Sequence, residues 1–330
     1  MRKTVCATLA VMMSVLFSPL SQAGQAWESY KARFFKPEGR IVDTGNGGVS
    51  HTEGQGFAML MAVANDDKAT FDKLWQWTNR ELKNKENGLF YWRYNPAESN
   101  PVADKNNAAD GDVLIAWALL KADARWHEKR YGAASDAITK ALVAHSVIRY
   151  AGYRVMLPGV QGFKLDGEAI LNPSYFVFPA WQAFAGRSHL PVWRDLIKDG
   201  KRLLGKMGSG KADLPADWVS LASDGKLEPA KSWPPRMSYD AIRIPLYLAW
   251  SDKQSPLLAP WKAWFGQFPR EQTPAWVNVT TNEYAPYMME GGLLAVRDLT
   301  MGQSSGEPEI TSKDDYYSAS LKMLVWISAQ

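Results

Sequence analysis

Three acidic stretches stand where this chain can do proton chemistry. They are Glu53 in Ser50-His51-Thr52-Glu53, Asp110 and Asp112 in Ala108-Ala109-Asp110-Gly111-Asp112, and Asp240 in Ser238-Tyr239-Asp240. Each opens an apolar segment of helical character. A helix start stabilises a carboxylate through its unpaired N–H groups and the macrodipole, so each taken singly reads as a capping acid. Ser50 and Glu53 even fit the capping-box spacing. Taken together they read differently, because Trp92, Tyr94, Tyr175, Trp181, Trp233 and Tyr239 lie in or beside the loops around those starts. Carboxylates gathered at one end of a helical barrel can pass protons, and aromatic faces can stack on the apolar faces of pyranose rings. The alternative is that these rings only fill core between large helices.

Other chemistries are poorly supported. Residues 205–211 have the spacing of a phosphate-binding loop, but Ala212 stands where a Ser or Thr should hold magnesium and a helix precedes the loop. Gly302-Gln303-Ser304-Ser305-Gly306 matches a nucleophile elbow only in letters, since Glu307-Pro308 follows where the elbow helix should begin. His51, His127, His145 and His189 show no ligand spacing, and His145 reads as a mid-helix interfacial side chain. No metal or cofactor is expected.

The elements that must position these acids are helices. Phe71, Leu74, Trp75, Thr78 and Leu82 put one apolar stripe on a helix opening near Asp67. Trp193, Leu196, Ile197 and Leu204 repeat the pattern, as do Tyr317, Leu321, Leu324, Val325 and Ser328. Further helical segments fall near residues 25–35, 53–65, 111–126, 133–149, 175–187, 239–251, 256–267 and 286–298, about eleven in all. Some are apolar on nearly every side, such as 56–64, and such a helix must be covered all round. Alternation with half-polar helices predicts two concentric layers, with Gly54, Gly56, Ala58 and Ala62 letting inner helices approach. Strand signals are few, the clearest being residues 88–94, a hairpin arm in a loop.

The whole chain sets further bounds. Arg2 and Lys3 precede an apolar run over residues 5–17, and Ser21-Gln22-Ala23 offers a cleavage site, the pattern of an export signal ending near Ala23. The run falls short of the roughly 20 residues that span a bilayer. The single cysteine, Cys6, lies inside it, so residues 24–330 carry no disulfide and no thiolate. Loss of Arg2 and Lys3 lowers the formal charge of +4 to +2, too small for a nucleic-acid footprint. No linker divides residues 24–330, and one domain acting as a monomer is expected. The 15 Trp, 13 Tyr and 12 Phe of the full chain, all but Phe17 within this domain, exceed what a core of this size needs, which again points to a groove.

Residues 108–122, an Ala-Ala-Asp-Gly-Asp start followed by an apolar helix with Trp126 beyond, resemble the diagnostic pattern of glycoside hydrolase family 8, A-[ST]-D-[AG]-D. Ala109 departs from the usual Ser or Thr and leaves both aspartates in register. Glu53-Gly54-Gln55-Gly56, Asn172-Pro173-Ser174-Tyr175 and Ser238-Tyr239-Asp240-Ala241-Ile242-Arg243 resemble the same family in the same order, so the likeness spans roughly residues 25–328. It is strongest to the periplasmic endoglucanases that accompany bacterial cellulose synthase.

The resemblance implies an all-α (α/α)6 barrel, one helix more than the segments counted above. It implies an inverting endo-1,4-β-glucanase with Glu53 as general acid, Asp240 as general base and Asp110 holding the sugar at the cleavage point, Tyr239 and Arg243 flanking the base. Trp92, Tyr175, Trp181, Tyr239 and Arg243 are then the expected substrate contacts. The chemistry requires roughly 6.5 to 9.5 Å between acid and base, room for one water. A helix start favours the anion, which works against Glu53 as an acid. The negative charge of Asp110 and burial under bound sugar are expected to keep it protonated. The implied partner is a β-1,4-glucan chain. A cellulose synthase complex is a further candidate, with export to the periplasm or beyond the cell. Xylanase and lichenase activity stay open, as does a glycan-binding protein without catalysis. The Ser-Tyr-Asp block argues against the chitosanase-like branch.

Overall fold

Helical periodicity over most of the chain becomes, in three dimensions, a problem of covering apolar faces. The computed structural model describes residues 24–303 and 306–330. The export-signal reading, with Cys6, and the Ser304-Ser305 centre of the elbow-like match lie outside the described residues. Eleven α-helices occur among them: α1 (Gln25–Phe34), α2 (Thr52–Ala64), α3 (Lys68–Glu81), α4 (Ala109–Trp126), α5 (Lys129–His145), α6 (Phe178–Ser188), α7 (Pro191–Leu204), α8 (Arg243–Ser251), α9 (Ala259–Phe265), α10 (Gly291–Thr300) and α11 (Tyr316–Ile327).

Six of them close a ring. α2 packs on α4, α4 on α6, α6 on α8, α8 on α10, α10 on α11, and α11 back on α2. Outside it, α1 covers α11, α3 covers α2, α5 covers α4, α7 covers α6 and α9 covers α10. This is the double-layered helical barrel expected from the sequence, with six inner and five outer helices among the described residues. Its buried apolar residues form one contiguous set from Ala26 to Ile327.

Composition explains which helix goes where. In α2 every residue from 54 to 63 is buried, and in α4 every residue from 109 to 119. An outer helix such as α3 buries a single stripe, Thr70, Phe71, Leu74, Trp77 and Thr78, and opens on Asp67, whose side chain accepts from Thr70 N–H. Close approach of inner helices needs small residues. A β-carbon on Gly56 would run into Leu114 of α4, one on Gly54 into the Tyr316 hydroxyl of α11, and one on Gly111 into Thr52 of α2.

Outer helices α3, α5, α7 and α9 carry the chain back between successive inner helices, and α10 and α11 start side by side, with Gly291 and Gly292 against Ser318, so the inner helices present their N-termini at the same end of the barrel. The short strands lie in the connections. Ser50–His51 pairs with Arg93–Tyr94, as the strand signal at 88–94 leads one to expect. Four other pairings carry no clear sequence signal: Val147–Tyr150 with Tyr153–Met156, Val219–Ala222 with Glu168–Leu171 on one side and Leu227–Pro229 on the other, and Arg236–Met237 with Val277–Asn278. The helix expected over 133–149 stops at His145, which is exposed at the end of α5 rather than at an interface. The chain then turns through Ala151 and Gly152, both at positive φ, the backbone a two-residue hairpin requires.

Candidate active site

The three acidic stretches meet at the N-terminal end of the inner ring. Glu53 lies in the first turn of α2, but not in a capping box. His51 occupies the cap position with no side-chain cap bond, and Ser50 Oγ instead donates to Ile41 C=O. Asp110 lies in the first turn of α4 with its Oδ1 accepting from Gly111 N–H at 2.8 Å. Its neighbour Asp112 points elsewhere: it accepts from Phe90 N–H at 2.9 Å and Asn107 Nδ2 at 2.8 Å, tying down the segment that carries Trp92. Asp240 sits in a turn just ahead of α8, since the regular helix starts only at Arg243.

Arg243 joins the three. Its side chain is 2% exposed, so it is no surface ion-pair partner. Nη1 contacts Glu53 Oε2 and lies 3.7 Å from Asp110 Oδ2, while Nη2 donates to Asp240 Oδ1 at 2.7 Å. Nη2 also reaches Ser174 Oγ at 3.0 Å, and Ser174 in turn donates to Asn172 Oδ1 at 2.6 Å. Two nitrogens of one rigid fork, each one hydrogen bond from its carboxylate, keep the contacting oxygens of Glu53 and Asp240 within roughly 8 Å of each other. Glu53 and Asp240 do not hydrogen-bond to one another; the guanidinium lies between them.

Burial dominates the electrostatics. It pushes the Asp110 carboxyl up to about 7, with the charge of Asp112 adding to it and the Gly111 N–H opposing. It pushes Asp240 up to about 8, helped by the charges of Asp217 and Asp110 and opposed by the polar N–H groups of Asn172 and Trp218 nearby. Asp217 is likewise raised by burial. Three carboxylates around a single guanidinium, with Asp217 behind one of them, cannot all ionise cheaply, so the cluster retains a proton near neutral pH. Two features bear on the expectation that the charge of Asp110 keeps Glu53 protonated. Arg243 lies directly against Glu53 and favours its anion, and Asp110 itself holds its proton more tightly than usual.

A cleft of about 350 Å³ opens above this cluster, lined by Glu53, Asp240, Arg243, Tyr239, Tyr317 and Asp315. Tyr239 is 46% exposed, and its carbonyl accepts from the Tyr317 hydroxyl. Tyr175 is half-buried, and burial followed by the charges of Asp110 and Asp240 raises its hydroxyl well above the usual range. It therefore stays a neutral donor beside both. Trp92 is half-exposed, stacked on His51 at 5.8 Å and 7°, and anchored by Nε1 to Asp104 Oδ2 at 2.7 Å. Burial lowers the His51 imidazole to about 4, so its ring is neutral there.

Trp181, expected in the groove, is a core residue at 1% exposure, wedged against Phe176 and Phe178. Its place inside α6, one turn past the helix start, turns it inward. Trp218 is not among the residues the sequence singles out, yet it stands in a run of parallel rings between Phe163 at 5.7 Å and Trp233 at 4.6 Å, edge-on to Tyr175. Asp217 escapes sequence reasoning as well. Neither carries a sequence signal, because each sits in an irregular loop.

The family model for glycosyl hydrolases family 8 matches residues 1–330. The chain belongs to glycosyl hydrolase family 8. Among its relatives, an endoglucanase of Cellulomonas uda is 62% identical over 303 residues, covering 92% of this chain and 84% of that one. A solved endoglucanase of Klebsiella pneumoniae, described as a family 8 glycosyl hydrolase, superposes with a TM-score of 0.92 at 66% identity over 93% of this chain and 99% of that one. A family 8 endo-β-1,4-glucanase from an Achatina fulica gut metagenomic library gives the same score and identity over 94% and 99%.

Proposed function

We propose that this family 8 protein is an endo-1,4-β-glucanase that cuts cellulose-type chains internally and inverts the anomeric centre. The observation that carries the reading is Arg243 touching Glu53 on one side and Asp240 on the other at the floor of an open cleft. The named activity of relatives more than 60% identical supports the substrate class. Glu53 gives its proton to the glycosidic oxygen as the bond breaks. Asp240 takes a proton from water attacking the opposite face of C1, and Asp110 holds the sugar between them. Tyr239, Tyr175 and Trp92 supply faces and hydroxyls for neighbouring sugars. The proton retained by the carboxylate cluster is the one the leaving oxygen needs, and substrate entry must free Glu53 from Arg243 for it to be delivered.

The export-signal pattern of residues 1–23 supports action in the periplasm or outside the cell. The sequence resemblance described above supports a role beside a cellulose synthase complex, which co-purification with that complex would test.

Proton NMR of the first products released from cello-oligosaccharides tests the mechanism. Newly formed α-anomer is expected, and β-anomer would overturn inversion. Reducing-sugar release from carboxymethylcellulose by wild type, Glu53→Gln and Asp240→Asn tests the roles. Each substitution should lower kcat by roughly 10²- to 10⁴-fold. Full activity in either would reject its assignment, and a wild type silent on every β-glucan would leave only a binding protein.

A further inference from the structure

Asp240 does not hold its own position. It sits in a turn over residues 238–241 whose N–H groups lie outside any regular helix, and that turn is built on Asp217. Asp217 Oδ1 accepts from Ser238 N–H at 2.9 Å and from Ala241 N–H at 2.8 Å, and its Oδ2 accepts from the Ser238 hydroxyl. Asp217 is itself fixed at the rim of the barrel, where its N–H donates to Arg236 C=O at 2.7 Å beside the Arg236–Met237 strand. Among the described residues no Lys or Arg pairs with it. A half-buried carboxylate that makes three hydrogen bonds to one turn and none to a cation acts as a fixed acceptor, much as a capping residue does at a helix start.

We propose that Asp217 is the positioning residue of this active site, the carboxylate that shapes the 238–241 turn and thereby aims Asp240 into the cleft. The inference rests on Asp240 being the base. Tyr317 of α11 pins the same turn from its other side through the carbonyl of Tyr239. The Asn172 amide and the Trp218 indole also lie against Asp240, and its remaining contacts come from the cleft side. Arg243 of α8 bonds it directly, Glu53 of α2 lies beyond that guanidinium, and Asp110 of α4 and Tyr175 ahead of α6 face it. Tyr317 faces it from α11, and Asp43 and Asp315 line the far wall. Asp217 is the group behind it, and the one whose loss removes both a support and a negative charge.

Asp217→Asn and Asp217→Ala separate the two effects. Asparagine keeps an oxygen for the two N–H groups and loses the charge. Without that charge the base ionises at lower pH, so the acidic limb of the kcat/KM profile should move down by on the order of one pH unit, with kcat on the plateau within about tenfold of wild type. Alanine removes the acceptor altogether, and a base displaced by about 1 Å should lower kcat by roughly 10²-fold, with KM changing only a few-fold. A role confined to stability would lower Tm and leave the limb where it is. An acidic limb in Asp217→Asn that superimposes on wild type, or wild-type kcat in Asp217→Ala, would overturn the proposal. If the alanine variant does not fold, the limb in Asp217→Asn decides alone. Asp240→Asn run alongside keeps the two readings apart. If it is inactive while Asp217→Asn behaves as wild type, only this inference fails. If it is fully active, the base assignment fails first.

Discussion

Replacing Asp110 with asparagine removes one charge and keeps the side chain's shape, which makes the energetic effect of that charge readable. The carboxyl is 4% exposed, accepts from Gly111 N–H at 2.8 Å and has Arg243 Nη1 3.7 Å away. Burial raises its pKa from 3.8 to about 7. The folded protein thus binds this proton more tightly than the unfolded chain does. The contribution to stability is fully present below the unfolded value and is lost as pH rises through the folded one. At 1.36 kcal/mol per unit, the loss by pH 8 is about 4 kcal/mol, of which about 2 kcal/mol has already gone at pH 5. Protons shared with Asp240 and Glu53 reduce the figure. The amide side chain of Asp110→Asn does not titrate, so relative to wild type the variant should gain about 1 to 3 kcal/mol between pH 5 and pH 8, or a few degrees in Tm. Thermal unfolding by circular dichroism at constant ionic strength, at pH 5, 6.5 and 8, reads this directly. Above neutrality the ionised Asp110 opposes loss of a further proton from the cluster, so the alkaline limb of kcat/KM in Asp110→Asn should move to lower pH. A Tm difference that is flat with pH, together with an unmoved limb, would refute both the buried charge and its coupling to the acid.

Arg243→Met should move both limbs of the kcat/KM profile upward, by about one unit, because the guanidinium stabilises the anions of Glu53 and Asp240 alike; a profile moving down would contradict the bridging geometry. Gly111→Ala should lower stability by about 1 to 3 kcal/mol, since the new β-carbon meets Thr52 and the Glu53 backbone, and activity should fall with it as the start of α2 shifts; chemical denaturation and initial rates report the two. Trp181→Ala and Trp92→Ala should behave oppositely. The first opens a core cavity and destabilises by about 3 to 5 kcal/mol, whereas the second raises KM for cello-oligosaccharides about tenfold with little change in Tm.

Much of this molecule is decided locally, and local features are legible in a sequence. The 3.6-residue period of Phe71, Leu74 and Thr78 follows from chain geometry alone, and α3 appears where it points. Helices apolar on every side, such as α2 and α4, must be covered, which already implies two layers. The acid-rich helix starts could be listed for the same reason, because a motif of consecutive residues needs no knowledge of its surroundings.

Residue order alone thus settles the set of helices, their division into buried and half-buried kinds, and the three acids at their starts. How those acids behave is settled by packing. Trp92 and Trp181 have the same chemistry, and their difference arises from the helices that pack over one and not the other. Ser50 matches a capping pattern, yet Ile41 offers its hydroxyl a buried acceptor from another segment. Arg243 lies three residues after Asp240, a spacing that suits a surface pair equally well, until ring closure buries it among Glu53, Asp110 and Asp240. Asp217, from a loop with no motif, reaches the turn before α8 across 21 residues of chain. Charge–charge energy depends on distance and on exclusion of water, and both are properties of how segments meet rather than of the order in which they are joined.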